Sequence, residues 1–209
     1  MERSAIILAG GFSSRFAQDK GLLQLSNKPL VKHVLDVVNN IVDERLLILR
    51  SKTQVEKYSK IVGPNVNIFF DNSKEHGPLV GALKGFEESQ GKYSLLLPCD
   101  TPLVSRDILN LLLELCINRN ATIPRWPNCY MEPLQAVYCT GPALEASAEA
   151  VGLGEFNMQA MVDKLRNVRY VSTLVLQQLD PELRTFFNVN TPLDLRKAEL
   201  MLKHGDKRD

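Results

Sequence analysis

Ala5-Ile6-Ile7-Leu8-Ala9-Gly10-Gly11-Phe12-Ser13-Ser14-Arg15-Phe16-Ala17-Gln18-Asp19-Lys20 is the stretch that decides the fold. Its first five residues form an unbroken apolar run, which reads as a buried strand, Ala5 to Ala9. Gly10-Gly11 then interrupts the run. Paired glycines let backbone approach a ligand closely and supply positive φ where a turn needs it. Exposed N–H groups in such a loop favour anions. Arg15 adds a planar fork matched to phosphate, and Lys20 adds a point charge. In open α/β sheets, ligands bind beyond the carboxyl ends of the strands, so the loop reads as a triphosphate cradle. It is neither a Walker A loop nor a G-x-G-x-x-G fingerprint. Taken alone, a Gly-Gly after a strand is most often only a turn.

Outward from this stretch, short apolar runs alternate with helical patterns, which predicts an α/β fold with a mostly parallel central sheet. Leu30, Val31, Val34, Leu35, Val38 and Ile41 recur at helical spacing behind Pro29, read as the first helical residue. Strands are expected over Leu46 to Leu49, Val66 to Phe70 and Tyr93 to Leu97. Thr53-Gln54-Val55-Glu56 reads as a capping box for a helix that Gly63-Pro64 ends. Pro78 opens a helix expected to close near Gly91, and Ser105 can cap the next. The second half is less regular. Ala121 to Ile123, Leu134 to Cys139 and Val168 to Val171 read as strands, and Pro142 to Val151 and Met158 to Leu165 as helices. Thr191 and Pro192 cap and open a last helix.

Two further features fall beside the carboxyl ends of expected strands, and a third precedes the last helix. Pro98-Cys99-Asp100-Thr101-Pro102 follows the fourth strand, where a carboxylate can bind Mg²⁺ together with substrate phosphates. By itself Asp100 reads as a turn residue. Asp71 ends the third strand and could accept hydrogen bonds from a base or ribose. Asn190, in Asn188-Val189-Asn190-Thr191-Pro192, reads as a metal or phosphate contact, or as part of the helix cap. Convergence of these groups on one edge points to a phosphorylated ligand plus Mg²⁺.

Composition sets limits on partners. Lys and Arg number 25 against 24 Asp and Glu in 209 residues, a net charge of +1. That balance gives no electrostatic case for nucleic acid or a membrane surface. No apolar stretch approaches the ~20 residues of a membrane helix. Cys99, Cys116, Cys129 and Cys139 form no C-x-x-C pair and read as free thiols of a reducing cytoplasm. A single domain, 1–209, is expected, with a nucleotide-binding half over 1–104, an acceptor-binding half over 105–203 and a polar tail over 204–209.

Four motifs occur in order along nearly the whole chain. They are Leu8-Ala9-Gly10-Gly11 with Ser13, Arg15, Asp19 and Lys20; Gly77-Pro78-Leu79-x-Gly81; Pro98-Cys99-Asp100-x-Pro102; and Asn188-Val189-Asn190-Thr191-Pro192. Together they resemble the molybdenum cofactor guanylyltransferase family of the nucleotidyltransferase superfamily. The resemblance implies a Rossmann-like three-layer fold of the nucleotide-diphospho-sugar-transferase type. It implies transfer of GMP from GTP to molybdenum-molybdopterin, with Mg²⁺ as cofactor and pyrophosphate as leaving group. It assigns Leu8, Ala9, Gly10 and Gly11 to the nucleotide, Arg15 and Lys20 to the triphosphate, Asp71 to the nucleotide, and Asp100 to Mg²⁺, with Asn190 a second candidate ligand. On the acceptor side, Asn190, Trp126 and Tyr130 are candidates, the two aromatics by stacking on a pterin; packing on the core is the plainer reading of both. Transient contact with cofactor-delivering or cofactor-accepting proteins is compatible with it.

Two departures from the family pattern stand out. Ala17 replaces a usual glycine, and Gly152-Leu153-Gly154-Glu155-Phe156 lacks the basic residue associated with the pterin side. A CTP-dependent sister enzyme, a transferase for another phosphorylated acceptor and a non-catalytic nucleotide-binding regulator are the competing readings.

Overall fold

The computed structural model describes residues 1–10, 12–13, 16, 18–71 and 73–205. Gly11 and Arg15 therefore lie outside the described residues. Seven strands form one sheet: β1 (Arg3–Leu8), β2 (Glu44–Leu49), β3 (Asn67–Phe70), β4 (Tyr93–Pro98), β5 (Ala121–Arg125), β6 (Ala136–Cys139) and β7 (Val168–Ser172). Their spatial order is β7-β5-β6-β4-β1-β2-β3. All the pairings are parallel except those of β6, which runs antiparallel to both β4 and β5.

Strand residues alternate between the two faces, and each face is covered by helices. Ile7, Leu47, Leu49, Leu95 and Leu97 pack with α1 (Leu30–Val38), α2 (Lys52–Val62) and α4 (Arg106–Leu115). Ile6, Leu46, Ile48 and Leu96 pack on the opposite face with α3 (Pro78–Glu88), α5 (Thr140–Gly152) and α6 (Met158–Lys164). This burial on both faces is why β1, β2 and β4 read as continuous apolar runs. A third cluster joins Leu23, Leu25 and Leu30 to Val189 and Ala198, seating the last helix, α8, beside the hairpin before α1; between α6 and α8 lies one further short helix, α7 (Thr173–Leu176), and α8 spans Pro192–Gly205. Among the described residues, no helix is long and apolar enough to cross a membrane.

Several expected boundaries shift. α2 begins at Lys52, and its cap is Ser51, whose backbone N–H donates to Gln54 Oε1 at 3.1 Å. The expected box at Thr53 and Glu56 was two residues too late. Pro29 precedes the first helical residue of α1 instead of being it. α3 stops at Glu88 because Gly91 is pressed against β1, its N–H donating to Ser4 Oγ at 2.9 Å. β6 starts at Ala136, since Gln135 N–H closes a turn onto the Glu132 carbonyl.

Candidate active site

The parallel register brings the ends of four neighbouring strands to one edge. Ala9 N–H donates to the Ile48 carbonyl at 2.8 Å, Cys99 N–H to Leu8 at 3.0 Å and Asp71 N–H to Leu49 at 3.0 Å. The residues just beyond each strand thus stand side by side. A cleft of about 600 Å³ opens there, walled by Leu8, Ala9, Gly10, Arg50, Asp71 and Gly77 and floored toward Lys20, Pro98 and Asp100.

Gly10 is required by space. A Cβ on it would lie 2.6 Å from Arg50 N and 2.7 Å from Arg50 Cβ. Gly77 is similarly confined, with its Cβ position 2.3 Å from the Phe156 carbonyl oxygen. These two glycines keep the first loop and the start of α3 against their neighbours.

Lys20 lies at the cleft floor. Its Nζ donates to Asp100 Oδ2 at 3.0 Å and to Asn190 Oδ1 at 2.5 Å. Residues 80 and 170 positions apart in sequence therefore meet at one ammonium. Asn190 is brought there by the Val189 N–H bond to the Asp100 carbonyl, 2.8 Å, and by Thr191 and Asp194, which cap α8. Asp194 is held below the usual carboxylate range, first by its bond from the Thr191 side chain.

Asp19 anchors the turn that carries Lys20. Its Oδ1 accepts from Gly21 N–H at 3.1 Å and from the Tyr58 hydroxyl at 2.6 Å, and its Oδ2 accepts from Gln54 Nε2. Tyr58 is fully buried, and burial pushes its phenol pKa up. Cys99, beside Asp100, is buried as well. Desolvation, then the Asp100 charge, pushes its thiol well above the ordinary range, so it is an inert packing group.

Asp71 does not stand alone. Arg50 Nη1 donates to its two oxygens at 3.0 and 3.3 Å, while Arg50 Nη2 reaches His76 Nδ1 and the Ser73 carbonyl. Sequence reasoning passed over Arg50. The rule that singled out Asp71 and Asp100 applies to it equally, because it directly follows β2.

A second cleft, about 580 Å³, adjoins the first and shares Pro78, Pro98, Asp100 and Leu134 with it. Tyr130, Glu132, Asn157 and Asn188 line its far side. Tyr130 is 62% exposed there. Trp126 lines neither cleft, in keeping with the plainer reading of it as a packing residue, and Asn190 lines neither one directly. Trp126 packs edge-on against Phe186 at 5.7 Å, and its Nε1 donates to Glu132 Oε1 at 2.7 Å. Burial raises the Glu132 pKa, partly offset by that bond.

The donor set suits a hard cation that shares its ligands with phosphate. Asp100 and Asn190 present oxygen atoms to one cationic group, the Lys20 ammonium. Among the described residues, no three His, Cys, Asp or Glu side chains converge as a self-sufficient metal cage. Mg²⁺ does not need one, since it binds through one or two carboxylates together with substrate phosphates and water.

Comparison with known proteins places these features in a family context. A family profile described as the MobA-like NTP transferase domain matches residues 5–168. A probable molybdenum cofactor guanylyltransferase of Methanosarcina mazei is 35% identical, covering 99% of this chain and 92% of the relative. A crystal structure of molybdopterin-guanine dinucleotide biosynthesis protein A from Archaeoglobus fulgidus superposes with a TM-score of 0.81 at 27% identity, over 96% of this chain and 99% of that one. The 2-C-methyl-D-erythritol 4-phosphate cytidylyltransferase of Thermus thermophilus shares the fold, with a TM-score of 0.72 at 18% identity, over 97% of this chain and all of that one.

Proposed function

The chain belongs to the MobA-like NTP transferase family, and from that premise we propose that it transfers GMP from GTP to molybdenum-molybdopterin, forming molybdopterin guanine dinucleotide and pyrophosphate. One observation supports the site assignment: the Lys20 ammonium holds both Asp100, which borders both clefts, and Asn190. A reaction between two phosphorylated molecules needs both to meet at one electrostatic focus, and Asp100 borders both clefts.

The first cleft takes the nucleotide, with Leu8, Ala9 and Gly10 along base and ribose and Asp71 accepting from it. Gly11 is assigned to the nucleotide and Arg15 to its triphosphate by the family resemblance. The second cleft takes the acceptor, with Tyr130 on its wall and Asn190 tied through Lys20 to Asp100 on its border. An oxygen of the acceptor's terminal phosphate forms a bond to the α-phosphorus of GTP as the bond from that phosphorus to the β-bridging oxygen breaks. Pyrophosphate carries away the electron pair. The attacking oxygen is already anionic, so no side chain has to remove a proton. The work left to the protein is alignment and neutralisation of charge on the leaving group. Lys20 and Arg15 bind the triphosphate, and Lys20 gives up Asp100 as it does so. Asp100, with Asn190, would hold Mg²⁺, which when bound supplies charge neutralisation on the phosphate oxygens.

The reaction is assigned to the cytoplasm; the free state of all four cysteines supports this.

A melting scan with GTP, CTP, ATP and UTP, each with and without Mg²⁺, tests the reading. Binding to the native state alone stabilises by about 2.7 kcal/mol at a hundredfold excess over the dissociation constant. The expected result is a GTP-selective, Mg²⁺-enhanced shift, followed by pyrophosphate release when molybdenum-molybdopterin is added. A CTP-selective shift would replace guanylyl with cytidylyl transfer. A GTP shift without pyrophosphate release under any acceptor would make the protein a nucleotide-binding regulator.

A further inference from the structure

Among the described residues, Arg50 is the best-connected charged side chain of the nucleotide cleft, and the transfer chemistry does not use it. It follows the last residue of β2, and its guanidinium spans three segments. Nη1 takes both oxygens of Asp71, just after β3. Nη2 takes the Ser73 carbonyl and His76 Nδ1, in the segment that leads to Gly77 and α3. Its own backbone N–H donates to Gln54 Oε1 at 3.0 Å, and Gln54 Nε2 reaches Asp19, the anchor of the Lys20 turn. Gly10 packs directly on its backbone and Cβ.

We propose that Arg50 is a positioning residue for the nucleotide: it fixes Asp71 and the 73–77 wall so that the cleft is formed before the nucleotide arrives. The proposal rests on the nucleotide-binding reading of the first cleft and adds to it the device that shapes that cleft. Asp71 is nearly buried, with 9% of its side chain exposed, and a carboxylate so placed needs hydrogen-bonding partners, which Arg50 supplies while holding it in one rotamer. A carboxylate has about four lone-pair sites. Arg50 engages them from one side, which leaves acceptor capacity directed at a ligand's N–H or O–H groups. A guanidinium can do this and bridge to His76 at once because its donors form a rigid fork, whereas an ammonium offers only a point charge. The His76 contact requires an unprotonated Nδ1, since guanidinium cannot accept a hydrogen bond.

The test is a double-mutant cycle on GTP affinity, with Arg50→Ala, Asp71→Asn and the pair, alongside Arg50→Lys and steady-state kinetics on each. If Arg50 acts through Asp71, Arg50→Ala weakens GTP binding at least tenfold and raises KM for GTP, with kcat at saturating GTP within about threefold of wild type. Added to Asp71→Asn, the same substitution has less than half its single-variant effect on a logarithmic scale. Arg50→Lys recovers charge but less than half of the affinity, on the same scale. Additive effects in the cycle overturn the proposal, as does a folded Arg50→Ala protein with normal KM. Should the variant melt too early to assay, Arg50→Gln at reduced temperature serves in the same cycle. Wild-type protein that binds no nucleotide overturns the proposal together with the reading beneath it; binding with additive effects overturns the proposal alone.

Discussion

Adding a single methyl at Gly81 should move stability and nucleotide binding in opposite directions. Gly81 is the fourth residue of α3 and also borders the nucleotide cleft. A Cβ there would lie 3.5 Å from Leu8 Cδ2 and 4.0 Å from Ile48 Cγ2, which is ordinary van der Waals contact. Nothing has to shift, so Gly81→Ala gains the helix propensity of alanine, about 0.8–1.0 kcal/mol. In a chain of this size that raises Tm by roughly 2–4 °C. The same methyl occupies space beside Leu8 that the proposed ligand uses. One methylene in a fitted pocket changes affinity by about 1–3 kcal/mol, so GTP binding should fall roughly tenfold or more. Gly77→Ala is the control with the opposite stability sign. Its Cβ position is 2.3 Å from a backbone oxygen, more than an ångström inside ordinary contact. Relief would require pushing α3 away from Phe156, at a cost of about 1–3 kcal/mol. Differential scanning calorimetry and titration calorimetry with GTP measure both quantities. A Gly81→Ala protein that melts earlier than wild type, or one that melts later with unchanged GTP affinity, would refute this account of the cleft.

Lys20→Ala should reduce turnover by about a hundredfold or more, the scale of losing one preorganised charge on a phosphoryl transition state, while cooperative melting persists; normal turnover in the folded variant would remove Lys20 from the chemistry. His33, on α1, has its pKa lowered from 6.5, chiefly by burial and then by Lys28, against a bond to the Leu25 carbonyl. The unfolded chain therefore binds the proton more tightly, and stability should fall as pH drops below 6.5; urea titrations from pH 7 to 5 should show this slope flattened in His33→Gln. In the native state, iodoacetamide should modify Cys129, which is exposed, and spare Cys99 and Cys116, both buried, the latter with a thiol pKa pushed up to about 11. Peptide mass spectrometry would show the difference, and rapid native labelling of Cys99 would contradict its placement beside Gly21.

The parallel half of the sheet was legible because burial on two faces leaves an unmistakable trace. Ile6-Ile7 and Leu95-Leu96-Leu97 have no polar side, as strands covered by helices above and below must. Asp71 and Asp100 could be picked out because each lies close after a strand, and Lys20 because it ends the charged loop that follows the first one. The pairings they enter could not. Nothing local marks Asn190 as meeting Lys20, since the meeting depends on α8 folding back over the 23–30 hairpin. Arg50 also follows a strand, but one arginine there has many uses, and only the approach of β3 gives it Asp71. Trp126 shows the reverse. Its amphipathic ring suggested a ligand, but Phe186 and Glu132, both distant from the nucleotide loop in sequence, supply what it needs. Element ends slipped where side chains decide them, as at Ser51 and Gly91.

The reversal at β6 has a consequence for how such a protein can diversify. Because β5 and β6 run in opposite directions, both ends of the 126–135 segment hang from the rim that carries the nucleotide loop. Their pairing is sealed in the sheet, while Tyr130, Glu132 and Leu134 reach toward Asp100 from outside it. Residues there can be exchanged, or the segment lengthened, without moving a strand register or touching Lys20. On the proposed assignment, the architecture separates a nucleotide side fixed by strand ends from an acceptor side built on a hairpin tip, so that a new acceptor calls for rewriting that tip and leaves the strand-end residues as they are.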